Sequence, residues 1–310
     1  MIKKFFAVAL SAILLISLAG CMPQRNTDNG KINIIATLFP QYDFARQIAG
    51  DKANVTLLLP PGMDSHSYDP TPSDVINISK SDIFIYTGKY MEVWAENLIS
   101  GLDTSKVKVV DASNGVTLHK EEEDEDEPVK DEHHHEYDPH IWTNPQYAKI
   151  MVDNIVTALC EADAQNADYY KNNAEAYKKE LDRLDNDFQQ VVSSSKHKEI
   201  YFGGRFALYY FAERYGLKWV AAFDSCSTET EPSAKVVAQM ISEMKQKDIK
   251  VIYYEELVDP KAAKAIAAET GAKTLLLHSC HNVSKEDLSN GVTYLSLMEQ
   301  NVKNLKEGLS

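Results

Sequence analysis

The chain has only four cysteines in 310 residues. That is too few for a disulfide scaffold to stand in for a hydrophobic core. It has no basic stripe: 32 Lys and Arg face 46 Asp and Glu, for a formal charge of −14, and this balance argues against a nucleic-acid partner. Its apolar run from Phe5 to Leu18 falls short of the roughly 20 residues that a comfortable transmembrane helix needs. No short two-histidine motif of the kind that metal hydrolases place on a helix is present, which weakens a zinc-hydrolase reading. What is left is ordinary for a globular chain, with 44% hydrophobic residues available to bury a core.

The N-terminus reads as a targeting segment. Lys3 and Lys4 precede the apolar run, which ends in Leu18-Ala19-Gly20-Cys21. Small residues ahead of a cysteine at this place resemble a bacterial lipobox. Residues 1–20 are therefore expected to be a lipoprotein signal peptide, cleaved before Cys21, whose thiol would be lipidated. Residues 21–31 are polar and read as a tether. The mature protein is expected at the cell membrane, lipid-anchored on the extracytoplasmic face, without a span of its own. About 280 residues remain, enough for two domains.

β-Branched runs alternate with helical patterns. Strands are expected at Ile32–Thr37, Val55–Leu59, Ile83–Tyr86 and Val107–Val110, with helices at Tyr42–Ala49, from Ser73, and at Met91–Leu98. A second series runs through Glu199–Phe202, Trp219–Phe223, Val251–Tyr254 and Lys273–Leu277, with helices at Ala207–Tyr215, Ser233–Gln246 and Lys261–Ala268. Such alternation predicts parallel sheets covered by helices. Between the two series lie a helix at Gln146–Ala162 and a longer one. In the latter, Tyr170, Ala174, Tyr177, Leu181, Leu184, Phe188 and Val191 recur at spacings of four and three, marking one stripe. The expected architecture is α/β: an N-terminal lobe at 32–166, a linking helix at 167–195, and a similar C-terminal lobe at 196–310. The lobes would enclose a metal cleft and be joined by one long rigid helix.

Imidazoles and carboxylates concentrate at a few places. The segment 119–137 is acidic, nearly free of apolar side chains, and contains His133, His134 and His135; it reads as a solvated, metal-gathering loop. Ligands in α/β proteins sit beyond the C-terminal ends of strands. His66, His140, Glu255 with Glu256, and His278 with Cys280 and His281 all fall at such positions. Two facing lobes could close several of them round one ion. Cys226 and Cys280 could instead form a bridge.

These residues carry a resemblance. Besides the lipobox, the chain contains Phe39-Pro40-Gln41-Tyr42-Asp43-Phe44, His66-Ser67-Tyr68-Asp69-Pro70-Thr71-Pro72-Ser73-Asp74 and Tyr86-Thr87-Gly88 with Glu92-Val93-Trp94. It continues with Asp138-Pro139-His140-Ile141-Trp142-Thr143-Asn144-Pro145 and Tyr210-Phe211-Ala212-Glu213-Arg214-Tyr215-Gly216-Leu217, then Glu231-Pro232-Ser233 and Glu269-Thr270-Gly271-Ala272. Over nearly the whole mature chain it resembles the zinc/manganese-type solute-binding lipoproteins of ABC importers. The resemblance implies that His66 and His140 are ligands from the N-terminal lobe. It puts Arg205 where the family has a third histidine, and His278 where it usually has a carboxylate. Arginine has no lone pair to donate, so three arrangements stay open. His66, His140 and His278 could bind the ion, with water, Glu255 or Glu256 as fourth donor. Cys226 or Cys280 could add a thiolate. Arg205 could balance an anion, or pair with Glu229, Glu231 or Glu256. The implied function is non-enzymatic capture of Zn2+ (alternatively Mn2+) as transported cargo. The partners would be a membrane permease subunit, the metal ion and the membrane through the anchor, with no nucleic acid, and the protein would act as a monomer. A zinc-dependent hydrolase, a surface adhesin and a metal chaperone are the competing readings.

Overall fold

Two runs of β-branched strands build two four-stranded sheets. The computed structural model describes residues 30–120, 136–223 and 232–310; the leader, Cys21, His133, His134, His135, Cys226, Glu229 and Glu231 lie outside the described residues. β1 (Ile32–Ala36), β2 (Ala53–Leu57), β3 (Ile83–Tyr86) and β4 (Lys108–Asp111) associate in the order β2-β1-β3-β4. β5 (Glu199–Arg205), β6 (Lys218–Phe223), β7 (Val251–Tyr254) and β8 (Lys273–Leu276) repeat that order as β6-β5-β7-β8. All pairings in these sheets are parallel. In both sheets the crossovers diverge between the two central strands, β1 beside β3 and β5 beside β7. Parallel sheets open a crevice there, beyond the strand C-termini.

Helices cover the sheets, and local chemistry sets their starts. α1 (Phe39–Ala49) begins one turn before the expected Tyr42, because Pro40 falls in the first turn, where its missing N–H costs nothing. α2 (Pro72–Lys80) is capped by Thr71 rather than Ser73. The Thr71 side chain accepts from the Asp74 N–H, and the Asp74 carboxylate accepts from the Thr71 N–H, a reciprocal capping box. α3 (Ala95–Ser100) starts later than the expected Met91, and α4 spans Pro145–Ala162.

α5 (Ala167–Ser194) is the long helix, 28 residues or about 42 Å. Every residue of its expected stripe is buried. Asp185 is buried on the same helix. Its carboxylate accepts from Arg214 Nε (3.0 Å) and Nη2 (2.7 Å), the Tyr215 hydroxyl (2.9 Å) and Gln146 Nε2 (3.1 Å). One charge thus ties the strut to α4 and to α6 (Tyr209–Tyr215). α7 (Ala234–Gln246) and α8 (Lys261–Thr270) complete the C-terminal lobe.

Two elements lie beyond the sequence expectations: α9 (Lys285–Ser289) and α10 (Tyr294–Gly308). α10 crosses back to pack on α5 and α1. Its Tyr294 N–H donates to the buried Asp43 of α1 at 2.8 Å, and its hydroxyl donates to the Trp142 carbonyl at 2.5 Å. One buried apolar cluster consequently includes residues of both sheets, α5 and α10.

Burial alone would raise the Asp185 carboxyl, but the hydrogen bonds of Arg214 and Tyr215 outweigh it and hold it below its ordinary value. Asp185→Ala strips three elements of their shared acceptor and leaves Arg214 uncompensated. It is expected to cost about 3 kcal/mol, read as a lowered urea midpoint. Because the folded-state value is depressed, this stabilisation is complete above the ordinary carboxylate value and is lost as pH falls below it through the lower folded value.

Candidate metal centre

Three histidines from three loops converge. His66 lies in the loop after β2, and its N–H donates to Asp64 Oδ1 at 2.8 Å. His140 is fully buried, with its N–H and its ring Nδ1 both on Asp138 Oδ1, at 2.8 and 2.9 Å. His281 lies after β8, its Nδ1 at 2.5 Å from Ser279 Oγ; that hydroxyl in turn donates to Glu256 Oε1 at 2.5 Å. Both relays put the ring proton on Nδ1 and leave the Nε2 lone pair for a cation. The candidate ligand atoms of His66, His140 and His281 all lie within 4.8 Å of one another. His140 Nε2 is 3.4 Å from His66 Nε2, and His281 Nε2 is buried without a hydrogen-bond partner. Burial first, and then the crowding of His140, His66, Arg205 and His278 around the ring, pushes the His281 pKa well below its ordinary value. The neutral, ligating form is therefore favoured.

His281, not His278, faces the other two rings, and the backbone explains why. Cys280 adopts φ 65°, a left-handed conformation uncommon for a residue with a Cβ. Its N–H donates to His278 Nδ1 at 2.9 Å. The His278 main chain is clamped by Asn301, through N–H to Oδ1 (2.8 Å) and Nδ2 to the carbonyl (2.8 Å). His278 is thereby spent on shaping the turn, and the chain reverses to present His281. Cys280 is a buried free thiol whose Sγ lies 3.9 Å from the His278 carbonyl. It is not part of the histidine cluster, and burial, then Glu256 and Asp43, push its pKa well up.

The other candidates are already engaged. Arg205 does not pair with Glu256. Its backbone N–H and Nε (3.3 Å) donate to Glu255, and Nη1 lies 3.0 Å from Asp64 Oδ2. Glu256 accepts from the Ser279 N–H at 2.8 Å as well as from its hydroxyl, so it orients His281 rather than joining the cluster. A cavity of about 110 Å³ adjoins the site, lined by Asp64, His66, Arg205, Glu255, Glu256 and His281 among others. Sequence reasoning had missed Asp138, Asp64 and Ser279. A short polar residue two positions before each histidine was the available signal.

Behind the site, Glu92 is buried between the two central strands' loops. It accepts from the Thr37 hydroxyl after β1, and from the Thr87 N–H (3.0 Å), Thr87 hydroxyl (3.0 Å) and Gly88 N–H (3.2 Å) after β3. Desolvation outweighs these hydrogen bonds and lifts its pKa to about 7.

A model of the ZnuA family, zinc-uptake complex component A, periplasmic, matches residues 34–308. The chain is 33% identical over 317 aligned residues to the high-affinity zinc uptake system protein ZnuA of Bacillus subtilis, covering 100% of this chain and 99% of that protein. It is 35% identical over 307 residues to the zinc-binding lipoprotein AdcA of Streptococcus pneumoniae, covering 98% of this chain but only 61% of AdcA. The chain thus spans less than two thirds of that relative. Among solved structures, the metal-dependent lipoprotein YcdH of Bacillus subtilis superposes with a TM-score of 0.78 at 34% identity, covering 90% of this chain and 99% of YcdH. The Zn(II)-bound ZnuA-like domain of Streptococcus pneumoniae AdcA gives 0.77 at 34% identity, with the same coverage.

The raised Glu92 pKa means that the folded state holds a proton which the unfolded state has released between the ordinary value of 4.5 and about 7. Its contribution to stability is therefore complete below 4.5 and is lost as pH rises to 7. Glu92→Gln is expected to remove a slope worth roughly 3 kcal/mol over that window. Urea unfolding of both proteins from pH 4.5 to 8 measures the difference; parallel curves would refute it.

Proposed function

The chain belongs to the ZnuA family of zinc-uptake component A proteins, and on that footing we propose that it captures zinc as cargo and delivers it to the permease of a membrane importer. One observation carries this reading: His66, His140 and His281 bring their donor atoms within 4.8 Å of one another. An all-imidazole set favours zinc over manganese, which prefers oxygen donors. Tetrahedral zinc needs a fourth ligand. Glu255 and Glu256 are occupied elsewhere, so the reading leaves that position to water from the adjoining cavity. The names of the Bacillus subtilis and Streptococcus pneumoniae relatives, which are zinc-uptake and zinc-binding proteins, support the same cargo.

The protein acts as a receptor rather than a hydrolase. It is held on the extracytoplasmic face by lipid on Cys21 and works as a monomer. His133, His134 and His135 gather ions for the site. In this reading residues 32–166 and 196–310 act as the two lobes and residues 167–195 as the strut between them.

Isothermal titration of metal-stripped protein is expected to give one zinc per chain with micromolar or tighter affinity. His66→Ala combined with His140→Ala abolishes that binding. Ser279→Ala, which breaks the relay to His281, weakens it by about 10- to 100-fold, whereas His281→Ala weakens it more than His278→Ala does. Acidification below about pH 6 releases the ion, as protons compete for the imidazole lone pairs. A wild-type protein that takes up no zinc at micromolar concentration overturns the assignment.

A further inference from the structure

We propose that Arg205 is a latch on the metal cavity: fixed to the C-terminal sheet, it clasps Asp64 of the opposite lobe and so holds the His66 loop closed over the cation. The inference rests on the zinc-capture reading for its cargo, but its geometry stands on separate contacts.

Arg205 is the last residue of β5 and is anchored from behind. Its backbone N–H and Nε both donate to Glu255, from the loop after β7. Gly204 makes room for that carboxylate, since a Cβ there would collide with it, and a Cβ at Gly203 would lie 2.6 Å from the Ala263 backbone. The strand end is therefore shaped to seat Glu255 against Arg205. The forward edge of the guanidinium then reaches across the cleft, Nη1 lying 3.0 Å from Asp64 Oδ2. The other Asp64 oxygen accepts the His66 N–H at 2.8 Å. A single carboxylate thus transmits the hold of the C-terminal lobe to the backbone of a candidate ligand.

The three histidines are held differently. His140 and His281 are fixed by Asp138 and by the Ser279–Glu256 relay. His66 rides on a loop whose Gly62, Met63, Asp64, Ser67 and Asp69 are exposed. Asn282 and Val283 secure the start of that loop, at the Met63 carbonyl and the Gly62 N–H; beyond Met63, Asp64 reaches the far lobe through Arg205. The clasp, His66 and His281 line one cavity, so releasing the clasp opens the wall beside the ion. A planar guanidinium can serve two carboxylates at fixed angles, which a lysine ammonium does less well. Arginine at this position gives up a ligand and supplies a closure instead.

The test measures zinc release into excess chelator by stopped flow. It is paired with hydrogen exchange of residues 62–69 in the zinc-free protein. Arg205→Ala is expected to speed release a few-fold while one zinc still binds, because the part-exposed pair stabilises the closed arrangement that release must leave. Asp64→Asn leaves the Glu255 pair standing and keeps an oxygen for the His66 N–H; it accelerates release to a similar extent. The double variant goes little further, as expected for partners in one interaction, and Arg205→Lys recovers part of the loss. Added salt speeds release from the wild type but not from Arg205→Ala. In zinc-free protein both single variants raise exchange at 62–69. Unchanged release and exchange in Arg205→Ala and Asp64→Asn would sink the latch. If exchange responds while the wild type binds no zinc, the latch stands and the cargo assignment alone falls.

Discussion

The segment between β8 and α9 belongs to the C-terminal lobe by sequence but is hydrogen-bonded to the N-terminal lobe as well. The buried Trp142 indole N–H donates to the Ser279 carbonyl at 2.7 Å, and the Phe39 N–H donates to the His281 carbonyl at 3.3 Å. The Gly62 N–H donates to the Val283 carbonyl at 2.9 Å, and Asn282 Nδ2 donates to the Pro60 and Met63 carbonyls at 2.8 and 3.0 Å. Phe39, Trp142, Ser279, Asn282 and Val283 are buried, and unmade bonds there would be costly. The seam sets the distance between His281 and the two N-lobe histidines. The geometry of the cluster, the relay through Ser279 and the clasp at Arg205 all presuppose it.

Much of the fold is legible in the residues. The two β-branched strand series gave both parallel sheets, and the spacing from Tyr170 to Val191 gave the buried face of α5. Helix starts were less legible, because they depend on which of several adjacent residues accepts a hydrogen bond. At Thr71-Pro72-Ser73-Asp74 the reciprocal pair is Thr71 with Asp74, not a lone Ser73. α10 was missed although Tyr294, Met298, Asn301 and Leu305 are buried at helical spacing. Its stripe is interrupted by a polar residue, and Asn301 is buried because it clamps His278, a tertiary reason that no local pattern records.

The site divides in the same way. Places beyond strand ends made His66 and His140 candidates, and the family resemblance singled them out. The choice between His278 and His281 turns on one backbone angle, at Cys280, and cysteine carries none of the glycine or asparagine signal that normally announces a left-handed turn. The pairing of Arg205 with Asp64 was likewise out of reach, since it joins residues 141 positions apart, as 205 minus 64, with the strut between them. That Arg205 could not be a ligand needed only its chemistry.

The largest of the three apolar clusters among the described residues runs through both sheets, α5 and α10, and also governs how the molecule comes apart. Because both halves share that interior, heat is expected to dissolve them in one cooperative step. Damage to packing far from the cleft, at Phe188 or Leu305 for instance, therefore weakens both halves. The arrangement of the three histidines and the resistance to unfolding rest on the same interior.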